Sequence, residues 1–156
     1  MAEQFKIIEE SKDEKYANLY PQIVSVLSAE TDFIANMANM AAMIKETFQF
    51  WWVGFYLIKE NELVLGPFQG PLACTRIKKG RGVCGTAWQE EQTIIVSNVD
   101  EFPGHIACSS TSKSEIVIPI KKTGVVIGVL DIDSEQLSTF DNIDKRWLEK
   151  IVSIFN

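Results

Sequence analysis

Histidine is almost missing from this 156-residue chain, with one copy, and cysteine is scarce, with three. A lone histidine and cysteines at positions 74, 84 and 108 match no zinc-finger spacing, so a metal site is not expected. The odd cysteine count argues against a secreted disulfide framework; a reducing compartment would keep them as thiols. Cationic residues are outnumbered, 15 Lys and Arg against 21 Asp and Glu, for a net charge of −6. That balance argues against nucleic acid or an anionic membrane as the main partner. No stretch approaches the ~20 apolar residues of a membrane span. The N-terminus lacks the basic start and apolar run of a signal peptide, so a cytoplasmic protein is expected. Repeats, low-complexity tracts and linkers are absent too, and the length suits one domain over residues 1–156 with its own core.

What is present is periodic. Tyr16, Leu19, Tyr20, Ile23, Val24 and Leu27 form a helical stripe over residues 12–29, with Pro21 expected to break or kink its early part. Glu30-Thr31-Asp32 reads as a helix entry. Phe33, Ile34, Met37, Met40, Ala41, Ile44 and Phe48 then recur every three to four residues, the methionines as core filler. Residues 50–58 change to strand character, with Trp52, Gly54, Tyr56 and Ile58 on one face and Trp51, Val53, Phe55 and Leu57 on the other. Two rings straddling a glycine leave a slot that a neighbouring helix closes or a small apolar group fills. A second strand over 62–68, a short helix over 83–91, a brief strand over 93–96 and a closing helix through Trp147 and Ile151 complete an α+β layered domain. Its central antiparallel sheet is flanked by helices. The polar segment 97–113, carrying His105 and Cys108, is long for a connection and suits a functional loop. His105 itself reads as a loop histidine with a structural hydrogen bond, the alternative being a positive charge three residues before Cys108.

The most informative stretch is the hairpin from Ser110 to Ser134. Residues 116–120 and 125–130 read as strands, and Lys122-Thr123-Gly124 as a three-residue loop with Gly124 at positive φ. That loop would pair Lys121 with Val125 and hence Glu115 with Asp131, with Asp133 on the same face. Like charges opposed across a sheet are destabilising. Three carboxyls gathered there need either open water or a cation, and neighbouring carboxylates resist joint ionisation.

The combination CTRIKKGRGVCGTAWQ, VSNVDEFPGHIACSS, SEIVIPI, GVLDIDSE and FDNIDKRWLEKI resembles the free methionine-(R)-sulfoxide reductases, stand-alone GAF-domain enzymes, over nearly the whole chain. The resemblance implies a GAF fold and reduction of the free amino acid's sulfoxide. It implies Cys108 as nucleophile, Cys74 as resolving thiol and Cys84 as an additional redox cysteine. Glu115, Asp131 and Asp133 match the family's acidic substrate-binding residues, and Trp52 and Tyr56 its hydrophobic wall. It further implies no bound cofactor, thioredoxin as external reductant, and a homodimer. The implied chemistry is coherent: a sulfenic acid forms on Cys108, a second thiol condenses with it, and a dithiol reduces the disulfide. Carboxylates near Cys108 would raise its pKa, whereas attack needs thiolate, so a substrate ammonium that offsets their field would help activate it. Backbone N–H groups at the start of the 83–91 helix suit the substrate carboxylate. Two rival readings share the fold: a ligand-sensing GAF module without chemistry, and a thiol redox sensor without turnover.

Overall fold

The computed structural model describes residues 5–8, 10–105 and 110–156. The chain opens with α1, Lys12–Ser28, capped by the Ser11 side chain, which accepts from the Glu14 N–H. Tyr16, Leu19, Ile23 and Leu27 bury one stripe of it. The helix runs on through Pro21 instead of ending there, because the buried residues on either side outweigh a cost of about 3 kcal/mol for an interior proline. Asp32 caps α2, Phe33–Phe48, accepting from Ala35 N–H at 2.8 Å, as the helix-entry reading expects.

Six antiparallel strands follow: β1 (Trp52–Lys59), β2 (Glu62–Gln69), β3 (Arg76–Lys78), β4 (Ile94–Val96), β5 (Ser114–Lys122) and β6 (Val125–Ser134). Their spatial order is β3-β2-β1-β6-β5-β4, so the long hairpin β5–β6 docks against β1 in the centre. Sequence periodicity misses β3, whose three residues are too short to show alternation. Helix α3 (Gly82–Glu90) separates β3 from β4, and α4 (Asn142–Val152) closes the chain.

The two faces of the sheet have different partners. Val53, Phe55, Ile116, Ile118, Ile120, Leu130 and Ile132 pack against α1, α2 and α4 in the larger core. Trp52, Tyr56, Val117 and Val129 pack with Val83, Cys84 and Ala87 of α3 in the smaller one. The parity argued for β1 therefore holds from Trp52 onward, whereas Trp51, just before the strand, packs with the smaller core and not on the face of Val53. The larger core is pinned at one end by Asp144, fully buried, which accepts from Lys12 Nζ and Tyr16 Oη, each at 2.7 Å.

The β5–β6 register differs from expectation. Thr123 (φ 51) and Gly124 (φ 80) alone make the turn, a two-residue connection whose two positive φ values match the twist of the strands. Lys122 pairs with Val125, and a shift between Ile120 and Lys121 leaves Ile127 without a partner on β5. Beyond it, Val117 faces Asp131 and Glu115 faces Asp133. The pairing of Glu115 with Asp131 is thus wrong by two residues. An even error preserves the side of the sheet, so all three carboxyls still share a face.

Candidate active site

That face carries a cavity of about 70 Å³ whose floor is Glu115, Asp131 and Asp133. Its wall includes Trp52, Tyr56 and Cys84, and its rim Leu72, Arg81, His105 and Ser112. The topology makes the juxtaposition: β6 lies between β1 and β5, pairing Trp52 with Asp133 and Gly54 with Asp131 on one side and Glu115 with Asp133 on the other. The carboxyls do not lie past the strand ends, since β5 begins at Ser114 and β6 runs to Ser134.

The rings do not leave an empty slot over Gly54. A Cβ there would stand 2.4 Å from both Phe68 Cβ and Trp52 Cη2, so the Trp52 indole itself covers the glycine. Trp52 stacks on Phe68 (centroids 5.3 Å) and on Tyr56 (6.0 Å), forming a continuous aromatic wall beside the acids. Its Nε1–H donates to Pro71 O at 3.0 Å, and Tyr56 Oη–H donates to Cys74 O at 2.9 Å. Burial, with the nearby Asp131 next, keeps the Tyr56 phenol protonated far above its ordinary range.

Helix α3 closes the floor from above. Gly85 lets it approach β3, because a Cβ there would meet Lys78 O at 2.5 Å. Its cap residue Arg81 supplies no side-chain hydrogen bond, leaving first-turn N–H groups beside the cavity. Cys84, in that first turn, is buried with Sγ 3.9 Å from Glu115 Oε1, within reach of a weak S–H donor. Burial first, then Asp131 and Glu115, push its thiol pKa well up, so Cys84 is a neutral thiol near pH 7.

Electrostatically the floor holds more acid than it can ionise. Burial raises Glu115 and Asp133 well above the usual carboxylate range, and the charge of Asp131 raises both further. Ser112 Oγ–H, donating to Asp133 Oδ1 at 2.8 Å, draws Asp133 part of the way back. Burial raises Asp131 too, but hydrogen bonding with Glu115, Cys84 and Asp133 and the charge of His105 work the other way. All three carboxyls are raised, so the floor titrates as one crowded cluster that resists full ionisation. Among the described residues Asp131 Oδ1 is buried without a hydrogen-bond partner. A buried, unpaired carboxylate oxygen is costly and calls for a cationic or donor ligand. Donor atoms of Cys84, Glu115 and Asp131 all lie within 4.8 Å of one another, a spacing that would admit an ammonium group or a metal cation.

Of the residues singled out from sequence, Trp52, Tyr56, Cys84, Glu115, Asp131 and Asp133 line one cavity. Cys74 sits at its edge through the Tyr56 hydrogen bond. Cys108 lies outside the described residues. Arg81 and Ser112 escaped sequence reading, since a cap arginine and a loop serine carry no periodic signal.

Residues 32–155 match the GAF domain family. GAF domain-containing protein A of Dictyostelium discoideum is 60% identical, the match covering 100% of this chain and 99% of that protein. The free methionine-R-sulfoxide reductase of Escherichia coli is 44% identical over 92% of this chain and 87% of its own length. The X-ray structure of free methionine-R-sulfoxide reductase from Neisseria meningitidis in complex with its substrate superposes with a TM-score of 0.96 at 52% identity. That match covers 99% of this chain and 93% of the other.

Proposed function

The chain belongs to the free methionine-(R)-sulfoxide reductases, a GAF-domain family, and from that premise we propose that it reduces free methionine (R)-sulfoxide to methionine by thiol chemistry. The observation that carries this reading is the buried Oδ1 of Asp131, without a partner among the described residues, beside an aromatic wall. A free amino acid brings an ammonium group for that oxygen, and its sulfoxide brings a methyl group for the face of Trp52. The substrate carboxylate is assigned to the first-turn N–H groups of α3, with Arg81 adding charge. Of the two cations the floor would admit, family membership supports the substrate's ammonium.

The floor then supplies two functions from one cluster. Asp131 holds the ammonium. Glu115 or Asp133, kept protonated, donates a proton to the sulfoxide oxygen, the division of labour expected when neighbouring carboxyls are driven apart in pKa. Cys108 attacks the sulfoxide sulfur as thiolate. The S–O bond of the substrate breaks, the oxygen ends on Cys108 as sulfenic acid, and methionine leaves with its sulfur reduced. Cys74 is the resolving thiol: its sulfur bonds to that of Cys108, and the oxygen departs as water. Thioredoxin, a dithiol, restores both cysteines by exchange, and no bound cofactor takes part. Cys84 is a further redox cysteine on family grounds, and burial and the acids around it hold its thiol pKa up before substrate binds. Recycling by a dithiol requires a reducing compartment, which fits a cytoplasmic site of action. A homodimer completes the reading on family grounds.

The deciding experiment follows NADPH consumption with free methionine sulfoxide, thioredoxin and thioredoxin reductase. Turnover that disappears in Cys108→Ser supports the reductase. Substrate binding without turnover in the unaltered chain would leave a ligand-sensing module, and cysteine oxidation without methionine release a redox sensor.

A further inference from the structure

Between Gly70 and Thr75 the chain crosses from β2 to β3 without regular structure, and Leu72 at its crest is 92% exposed. Behind that crest Ala73 and Cys74 are half-buried against the smaller core, and Cys74 is disulfide-bonded in this structure. Two side chains rising from β1 fasten its backbone as well: Trp52 Nε1–H donates to Pro71 O and Tyr56 Oη–H to Cys74 O. Beyond them, Leu65 N–H donates to Thr75 O at 3.0 Å and hands the chain over to β3. Gly70 (φ 144) opens the segment where a Cβ would stand 2.5 Å from Trp52 Cδ1, so the indole also sets its point of departure.

We propose that Tyr56 is a positioning residue for the second step of the reaction: its hydroxyl, bonded to the Cys74 carbonyl, holds the resolving thiol where it can meet the sulfenic acid. The inference rests on the reading above, in which Cys74 resolves Cys108. One ring thereby serves two steps at its two ends. Its face walls the cavity in which the sulfoxide is reduced, while its oxygen, at the far end, steadies the loop that carries the next thiol. The phenol is well suited to this. Burial beside acids keeps it protonated, so it remains a hydrogen-bond donor throughout the pH range of the reaction. In the step it assists, the S–S bond forms as the S–O bond of the sulfenic acid breaks, and the oxygen takes up a proton and leaves as water. No further reactant is needed.

Tyr56→Phe keeps the ring and removes only the oxygen. The test is a single turnover with reduced protein and substoichiometric free methionine sulfoxide, without thioredoxin. Methionine is quantified for the first step. Loss of dimedone-reactive sulfenic acid and appearance of the Cys74–Cys108 disulfide by mass spectrometry report the second. One neutral hydrogen bond is worth a factor of about five. Disulfide formation is therefore expected to fall about fivefold relative to methionine formation in the variant, with sulfenic acid accumulating. Hydrogen–deuterium exchange at the amides of Leu72 and Ala73 is expected to quicken in the same variant. An unchanged ratio of the two rates, or equal slowing of both, overturns the proposal. If the unaltered protein reduces the sulfoxide but its disulfide excludes Cys74, the assignment of the resolving thiol is what fails, and the proposal falls with it.

Discussion

Replacing Glu115 with glutamine is expected to make the unliganded protein more stable near neutral pH while impairing its reaction. The carboxyl is buried, and its oxygen shares a 4.8 Å neighbourhood with Asp131. Two unit charges at that distance repel by roughly 3.5 kcal/mol at an effective dielectric of about 20. Protonation lets Glu115 escape part of this, so the neutral amide is expected to gain about 1–3 kcal/mol at pH 7.5. For a domain of this size that is a rise in Tm of about 3–10 °C. The pH dependence has a definite sign. Folding raises the Glu115 pKa above its unfolded value, so the folded state binds more protons between those two values, and stability falls as pH rises through that window. Below the unfolded pKa, about 4.3, the carboxyl is protonated in both states and the substitution confers nothing. Thermal melts of both proteins from pH 4 to pH 8 read this directly. A variant that melts at or below the parent at pH 7.5, or whose advantage persists undiminished at pH 4, refutes the picture of an overcrowded acidic floor.

Acetylating the substrate's amino group removes the cation proposed for Asp131 Oδ1. A hydrogen bond to a charged group is worth about 1.5–3 kcal/mol, so kcat/KM for N-acetylmethionine sulfoxide is expected to fall about 10- to 100-fold or more in the coupled assay. Gly54→Ala places a methyl 2.4 Å from Phe68 Cβ and Trp52 Cη2, which forces the indole off the sheet. Urea unfolding is expected to show a loss of about 1–3 kcal/mol, with a raised KM as the wall is displaced. Asp144→Ala strips the partner from Lys12 and Tyr16 far from the cavity. Because Lys12 retains access to water, the loss is expected near 2–3 kcal/mol, below that of a fully buried pair, with the Michaelis constant little altered.

The sequence by itself determined which residues could share a side. Alternation along residues 52–58 and 115–133 is set by the pleat, so Trp52, Gly54 and Tyr56, and separately Glu115, Asp131 and Asp133, were legible as faces before any fold existed. The motifs around the three cysteines carried the family resemblance for the same local reason. Register was not legible: whether two or three residues turn, and where a bulge falls, depends on twist and packing along the whole hairpin. Nor could pattern show that β6 would insert between β1 and β5, which alone brings rings and acids together. The acidity of the floor was likewise decided only in three dimensions. Composition counts carboxyls, but their protonation depends on how much water α3 and the aromatic wall exclude from them.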